Sequence, residues 1–487
     1  MSEPDDAGGR SFGSGARILS IGIASTGIFT FAYLATSSHV LSKRDYGLIS
    51  LCWSIMFVIL SVIYRPIEQL LSRTIADRRA RGLSGHPLRV PAAIQLGFAL
   101  IFITVALSLH HTIEHGVFQG SSALYWILFA GVIAYAASYF ARGWLAGHQY
   151  FALYGGLVFL ESTSRFLFPL AVAVGIGSGI GLVGLGMAVA PFASLSVMPF
   201  ALQRIRGRGR GRAGGEHVTT ASDPLDPAEI PVVDAAAEGP AAAQIEETAT
   251  DLSMRRGTGF AVSVVGIMFS EQTLMNAGVL IVAAAAGGTD ITSGLTGFVF
   301  NVMLIVRAPL QLFQAVQTSI LPHLAGLEAR ESADEFRRAI RITVLVIAGF
   351  GLAVGLGLLA IGPPVMRIFF SSKGFTYDRI GLALVGFGMG LHLISGTLNQ
   401  AALARGRAAA AAVCWLTAAA LFVCFQLVDI APHRIWRVEI GYFGATAVLC
   451  ALLWLLYRRG PAPEAARTGR TRAGAEVAAP ATSAVPR

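Results

Sequence analysis

Twelve stretches of about twenty predominantly apolar residues constrain this chain most, because a helix needs about that length to cross the hydrocarbon of a bilayer. They fall at roughly 18–40, 46–67, 90–110, 122–141, 152–174, 178–202, 258–286, 294–321, 341–366, 380–402, 408–429 and 438–457. Hydrocarbon offers no water to a free backbone amide, so such runs satisfy their backbone internally, as helices. The expected fold class is all-α integral membrane: twelve transmembrane helices as two parallel six-helix bundles around a central cavity. Composition agrees. The chain is 54% hydrophobic and 13% charged, where soluble domains carry about 25% charged residues. Cys52, Cys414, Cys424 and Cys450 all lie in apolar runs, which excludes a disulfide framework or a metal-ligand spacing.

The net charge of +9 is mostly arginine, and its placement orients the chain. With the N-terminus inside, the inner loops hold Arg73, Arg78, Arg79, Arg81, Arg142, Arg204 to Arg212, Arg330, Arg337, Arg338, Arg405, Arg407, Arg458 and Arg459. The outer loops hold Lys43, Arg44, Arg367, Lys373, Arg379, Arg434 and Arg437. The positive-inside rule then places both termini in the cytoplasm of a multi-pass protein of the cell (cytoplasmic) membrane. The expected domains are a disordered cytoplasmic N-terminus at 1–17, a six-helix bundle at 18–202, a disordered linker at 203–257, a second six-helix bundle at 258–457 and a disordered tail at 458–487. The linker opens with the alternating arginine–glycine run Arg204 to Arg212 and continues as an Ala/Pro-rich run with only acidic charges. A stop-transfer cluster explains the basic run better than RNA or anionic headgroup binding, and no nucleic-acid partner is expected.

The two halves carry a faint repeat. Arg65-Pro66-Ile67-Glu68-Gln69-Leu70 aligns with Arg307-Ala308-Pro309-Leu310-Gln311-Leu312, and Leu145-Ala146-Gly147 matches Leu403-Ala404-Arg405-Gly406. An even number of helices per half makes the repeats parallel, related by an axis along the membrane normal, with substrate between them near mid-depth. Ionisable groups at such depth are functional candidates. Glu161 and Arg165 stand four residues apart on one helical face, so they can pair. Arg65 is nearer the inner interface, where snorkelling is an equal explanation. Arg307 has apolar sequence on both sides and no opposite charge at helical spacing. Its expected partner across helices is Glu271, which also reads as a proton or cation site. The substrate-binding set is therefore Arg65, Arg165, Arg307, Gln311 and Asn301; the coupling-ion or cavity acids are Glu161 and Glu271. His392 reads as a hydrogen-bonded packing residue, and Asn301, Asn399 and Gln400 equally read as interhelical glue. Several arginines around a wet cavity suit a pyrophosphate, because a guanidinium fork grips phosphate oxygens two at a time and stays charged.

Enzyme motifs fail. His111-Thr112-Ile113-Glu114-His115 spells an inverted zinc-protease pattern, but in a short outer loop with no domain around it. The glycines at 175–179 follow no strand, so a nucleotide site is not expected. No catalytic residue, metal or cofactor is expected; a proton, Na⁺ or membrane-potential gradient, or no coupling ion at all, are the alternatives for the driving force.

Leu41-Ser42-Lys43-Arg44-Asp45-Tyr46-Gly47 resembles the L-x-x-x-x-Y-G turn of polysaccharide flippases. Leu310 to Phe313 with Ser319 to Pro322 is similar to that family's eighth-helix pattern, and Arg142 to Gly147 to its fourth-to-fifth connection. Over roughly 15–457 the chain thus resembles the polysaccharide transporter, O-antigen flippase-like branch of the multidrug/oligosaccharidyl-lipid/polysaccharide exporter superfamily. The resemblance implies outward movement of a polyprenyl-pyrophosphate-linked glycan by alternating access, for cell-surface polysaccharide biosynthesis. It implies cavity cations at Arg65, Arg165 and Arg307. Expected partners are the lipid-linked glycan, membrane lipids and glycan polymerases or glycosyltransferases. Lipid II flippases of the superfamily have fourteen helices, so twelve argue against that branch. A cation-coupled multidrug exporter of the same superfamily is the first alternative. A membrane scaffold for glycan-assembly enzymes is the second.

Overall fold

A computed structural model describes residues 22, 25–80, 88–201, 203, 240–285, 293–310, 333–371, 374–428 and 433–459. Eleven of its helices are long and apolar enough to cross a membrane, and a helix over 25–40 precedes them. In chain order we label them α1 (25–40), α2 (Lys43–Ser72), α3 (Arg89–Ser108), α4 (Ser122–Gly147), α5 (Phe151–Ala173), α6 (Ile180–Ala201), α7 (Val262–Ala284), α8 (Ser293–Leu310), α9 (Asp334–Phe369), α10 (Arg379–Ala404), α11 (Ala408–Leu427) and α12 (Arg434–Arg458). Among the described residues these are twelve helices, arranged in two bundles. Within the first half α6 packs on α4 and α5, and α4 on the lower part of α2; within the second, α10 packs on α9 and α12, and α11 on α7 and α12.

Three boundaries depart from the sequence reading. The α4 helix runs on to Gly147, so Arg142, expected in an inner loop, is a buried helical residue. The helix containing α7 begins at Pro240, inside the linker expected to be disordered. Proline suits a first helical turn, and the alanines after it favour continuation. The helix containing α9 starts at Ala333. The structure describes α8 as far as Leu310, so Gln311 and the Ser319 to Pro322 motif lie outside the described residues, as do 204–239 and the terminal segments.

The α2 helix is not regular. Leu60–Tyr64 forms a π turn in which the Arg65 amide reaches back five residues to the Leu60 carbonyl, immediately before Pro66, which has no amide proton to give. At about 100° per residue, a regular helix would set Arg65 about 120° around from Trp53. The wider π turn retards that rotation and brings Arg65 onto the face shared by Trp53, Phe57 and Ser61.

The halves are tied together at the end that the arginine distribution makes outer. Ser42 caps α2, its Oγ accepting from the Asp45 amide at 3.1 Å. That cap presents Tyr46 and Gly47 to the second half: Tyr46 donates to Asn301 Oδ1, and the Ser293 carbonyl lies so close to Gly47 that a side chain there would collide. Ser371 N–H donates to Ser38 Oγ at 3.2 Å, Gln119 Nε2 to Ser293 Oγ at 2.7 Å, and Phe31 stacks edge-on with Phe369 and Phe370 at 5.2 and 5.1 Å. A double Ser38→Cys/Ser371→Cys variant is therefore expected to cross-link on mild oxidation, seen as a mobility shift reversed by reductant. Full recovery of free thiols would show that this end is open.

Candidate functional site

A cavity of about 200 Å³ is walled by α1, α2, α4 and α5. Its polar lining is Thr26, Thr30, Ser61, Arg65, Glu68, Tyr135, Tyr139, Arg142, Tyr154, Glu161 and Arg165, with Trp53, Met56, Phe57, Leu60 and Val158 between them. From Trp53 to Glu68 the wall extends about 22 Å along α2, at 1.5 Å per residue. It therefore runs from mid-depth toward the inner end, opposite the ties just described. Arg65, Glu68, Tyr139 and Tyr154 keep part of their surface exposed, so the chamber is not sealed. A pocket of about 10 Å³ adjoins it at the seam between the halves, sharing Thr30, Trp53 and Phe57 and adding Leu304, Arg307 and Ala308. The cavity expected between the two bundles is thus displaced: the main chamber lies inside the first, and only the small pocket reaches the seam.

Glu161 is the hub. Its Oε2 accepts from Arg142 Nη2 at 2.5 Å, and its Oε1 from Arg165 Nη2 at 3.1 Å. Ser138 Oγ donates to Oε2 at 3.0 Å and meets Ser194 Oγ at 3.1 Å. Arg165 also donates to the Tyr135 hydroxyl, and its guanidinium lies over the Trp53 ring at 4.9 Å. Arg142 lies over Tyr139 at 4.5 Å. Glu161, Arg165 and Arg142 are 5%, 6% and 9% exposed, a depth at which unpaired charges would be costly. The pairing is imperfect, however: Arg142 Nε and Arg165 Nε are buried donors with no acceptor. Lower down, Tyr154 donates to Glu68 Oε1 at 2.7 Å. Glycine at 143 makes this corner possible, since a Cβ there would stand 2.8 Å from the Glu68 carbonyl.

The sequence-derived residues divide accordingly. Arg65, Arg165 and Glu161 all line the main chamber. Arg307 borders the smaller pocket, but Glu271 is not its partner. Arg307 Nη2 instead donates to Asn276 Oδ1 at 2.5 Å and to the Met275 carbonyl at 3.2 Å. Its guanidinium covers Phe300 at 4.5 Å, and its Nε and Nη1 are buried without acceptors. The reason is reach: Asn276 is fixed by donating to the Gln272 carbonyl and Oε1 at 3.1 Å, which leaves its own oxygen facing α8. Glu271, half-buried one turn earlier, lies within electrostatic range of Arg65 across the seam. Asn301 belongs to the outer ties, between Tyr46 and Tyr377. His392 accepts or donates at Nδ1 to the Tyr442 hydroxyl, 3.0 Å away, and Trp415 Nε1 donates to Asn399 Oδ1 at 3.2 Å; both are packing roles. In the outer turn His110 pairs with Glu114 at 3.1 Å and the His111 and His115 rings adjoin. No group of three or more metal-ligating side chains forms among the described residues.

Arg142 is the residue that sequence reasoning missed. Tyr135, Ser138, Tyr139 and Arg142 recur at i, i+3, i+4 and i+7, a polar stripe on an otherwise apolar helix that signals one buried polar face.

No protein-family model and no curated protein sequence matches the chain. Solved structures do. An inward-facing multidrug resistance MATE family transporter of the MOP superfamily superposes with a TM-score of 0.60 and 13% identity, over 91% of this chain and 97% of that one. A MATE protein in the straight conformation gives 0.59 and 15% over 92% and 95%. An outward-facing MATE transporter of the same superfamily gives 0.57 and 15% over 91% and 94%. The fold is that of the MATE transporters. Among these solved structures the fold occurs in both an inward- and an outward-facing state.

Because Glu161 holds two buried cations, its replacement by alanine is expected to cost on the order of 3–5 kcal/mol of stability, read as a lowered melting temperature in detergent. A Glu161→Ala melting temperature equal to wild type would contradict the buried ion-pair assignment.

Proposed function

We propose that this chain is a membrane flippase that moves a lipid-linked oligosaccharide, a polyprenyl-pyrophosphate glycan, across the cell membrane by alternating access for surface polysaccharide assembly. The observation that carries the reading is the chamber with three guanidiniums and a Tyr/Trp lining, set toward the inner half while the outer end is tied shut. Arg65, Arg142 and Arg165 supply donors for phosphate oxygens. Trp53, Tyr135, Tyr139 and Tyr154 offer ring faces and hydroxyls to sugars, and the lipid tail stays in the bilayer. Arg307, at the seam, would engage the headgroup from the second half. Loading from the cytoplasm and release outside require the outer ties to part and the inner chamber to close. Both termini are then cytoplasmic, the two bundles at 18–202 and 258–457 are the moving bodies, and a proton, Na⁺ or membrane-potential gradient supplies direction, with Glu161 and Glu271 as the acids available for coupling. Glycan polymerases or glycosyltransferases would be functional neighbours.

One observation favours a second reading, a cation-coupled multidrug exporter. Glu68 and Glu161 both line the same chamber, and aromatic faces also hold organic cations. The charge count favours the anion, with three arginines against two glutamates. A scaffold for glycan-assembly enzymes would instead depend on the linker, and deleting 213–251 would abolish it while sparing a transporter.

Reconstitution separates these readings. Proteoliposomes are expected to deliver a fluorescent lipid-linked glycan to the opposite leaflet. Arg165→Ala and Arg307→Ala are each expected to slow delivery by about tenfold or more, the loss of one charge-assisted contact, at normal protein levels. Glycan delivery that survives both substitutions, or transport of organic cations alone, would overturn the assignment.

A further inference from the structure

We propose that Glu161 is a built-in stand-in for the cargo phosphate: its carboxylate occupies the anion seat between Arg142 and Arg165, and a diphosphate headgroup displaces it on loading. The inference rests on the flippase reading and concerns how the same chamber is kept closed to other ions.

The geometry leads there by three steps. First, the two carboxylate oxygens are divided between two cations from different helices, Oε2 to Arg142 on α4 at 2.5 Å and Oε1 to Arg165 on α5 at 3.1 Å. A phosphoryl group presents pairs of oxygens at nearly the same separation, so it can take the same two donors. Second, the seat is under-filled. Arg142 Nε and Arg165 Nε are buried yet donate to nothing, while a carboxylate has only two oxygens and Oε2 already accepts from both Arg142 and Ser138. A diphosphate brings more oxygens to the same cluster and can satisfy the idle donors. Third, the seat is inside the chamber and not behind it: Arg142, Glu161 and Arg165 all line its wall, together with Glu68 and Arg65.

Charge explains what such a stand-in achieves. Without cargo the triad carries one net positive charge rather than two, which lowers the cost of holding guanidiniums at this depth. A weak or singly charged anion gains little by replacing a tethered carboxylate. A diphosphate gains both guanidiniums and their idle donors, so the exchange selects for headgroups with several phosphate oxygens. The displaced carboxylate keeps Ser138 and the water of the cavity. Glu68, already accepting from Tyr154, adds a second negative charge nearby that penalises anions bound without the full arginine cluster.

Binding of inorganic pyrophosphate to the full-length protein in detergent, by titration calorimetry, tests this. Glu161→Gln removes the competing charge while keeping the shape. It is expected to bind pyrophosphate at least about tenfold tighter than wild type, by the greater strength of charge-assisted over neutral hydrogen bonds. Ser138→Ala leaves the triad charges in place and only loosens the carboxylate, so it guards against a misfolded glutamine variant. It is expected to tighten binding by about fivefold, the value of one hydrogen bond. Adding Arg142→Gln to Glu161→Gln should cancel the gain. Unchanged or weaker pyrophosphate binding in both single variants would overturn the stand-in role. If wild-type proteoliposomes move the lipid-linked glycan yet neither variant binds more tightly, only this inference fails. If no glycan moves at all, the flippase reading itself fails.

Discussion

A guanidinium stays charged under any physiological condition and cannot be left bare in hydrocarbon. That single constraint dictates how the first half of this protein is assembled. Arg165 at mid-depth needs a carboxylate within reach, and Glu161 one turn away supplies it. Arg142 then draws α4 against α5 through the same carboxylate. Ser138 and Ser194 extend the network to α6. The polar residues therefore do double duty. They specify which helices adjoin, and they leave a charged wall on the chamber of the first bundle.

The second half solves its polar problem differently. Arg307 is met by an amide and a backbone carbonyl, with no carboxylate on it among the described residues. Its deep polar contacts, His392 with Tyr442 and Trp415 with Asn399, are neutral and tie α10 to α12 and α11. The two halves thus divide the work: the first holds the charged chamber, and the second contributes Arg307 at the seam. The ties at the outer end join them through the Ser42 to Gly47 turn, whose tyrosine and glycine both face the partner half.

Hydrophobic run length made the helices legible, since the bilayer sets one length for all of them. Helix ends are less legible, because an arginine suits an inner loop and a helix end equally well. Arg142 and the start of α9 are helical despite their charges, as long stems and local partners let a cation sit on a helix near an interface. The Glu161–Arg165 pair could be read from spacing alone. The Arg307–Asn276 contact could not, because partner choice across helices depends on which face of α7 turns toward α8. Nor could the π turn at Leu60–Tyr64 be foreseen, although Pro66 marks where it resolves. The resemblance in the 41–47 turn pointed to residues that hold the halves together, whereas the chamber residues had to be found from charge at depth.

Whether the guanidiniums face water is the central physical claim, and Ser61 is the place to measure it. It lies on the chamber wall between Trp53 and Arg65. In a background with Cys52, Cys414, Cys424 and Cys450 replaced, Ser61→Cys can be probed with a charged, membrane-impermeant thiol reagent applied to either face of oriented vesicles. Rapid labelling from the cytoplasmic face, slowed by added pyrophosphate, is the predicted result. A thiol that resists the reagent from both faces would mean a dry interior, with arginines that serve packing alone.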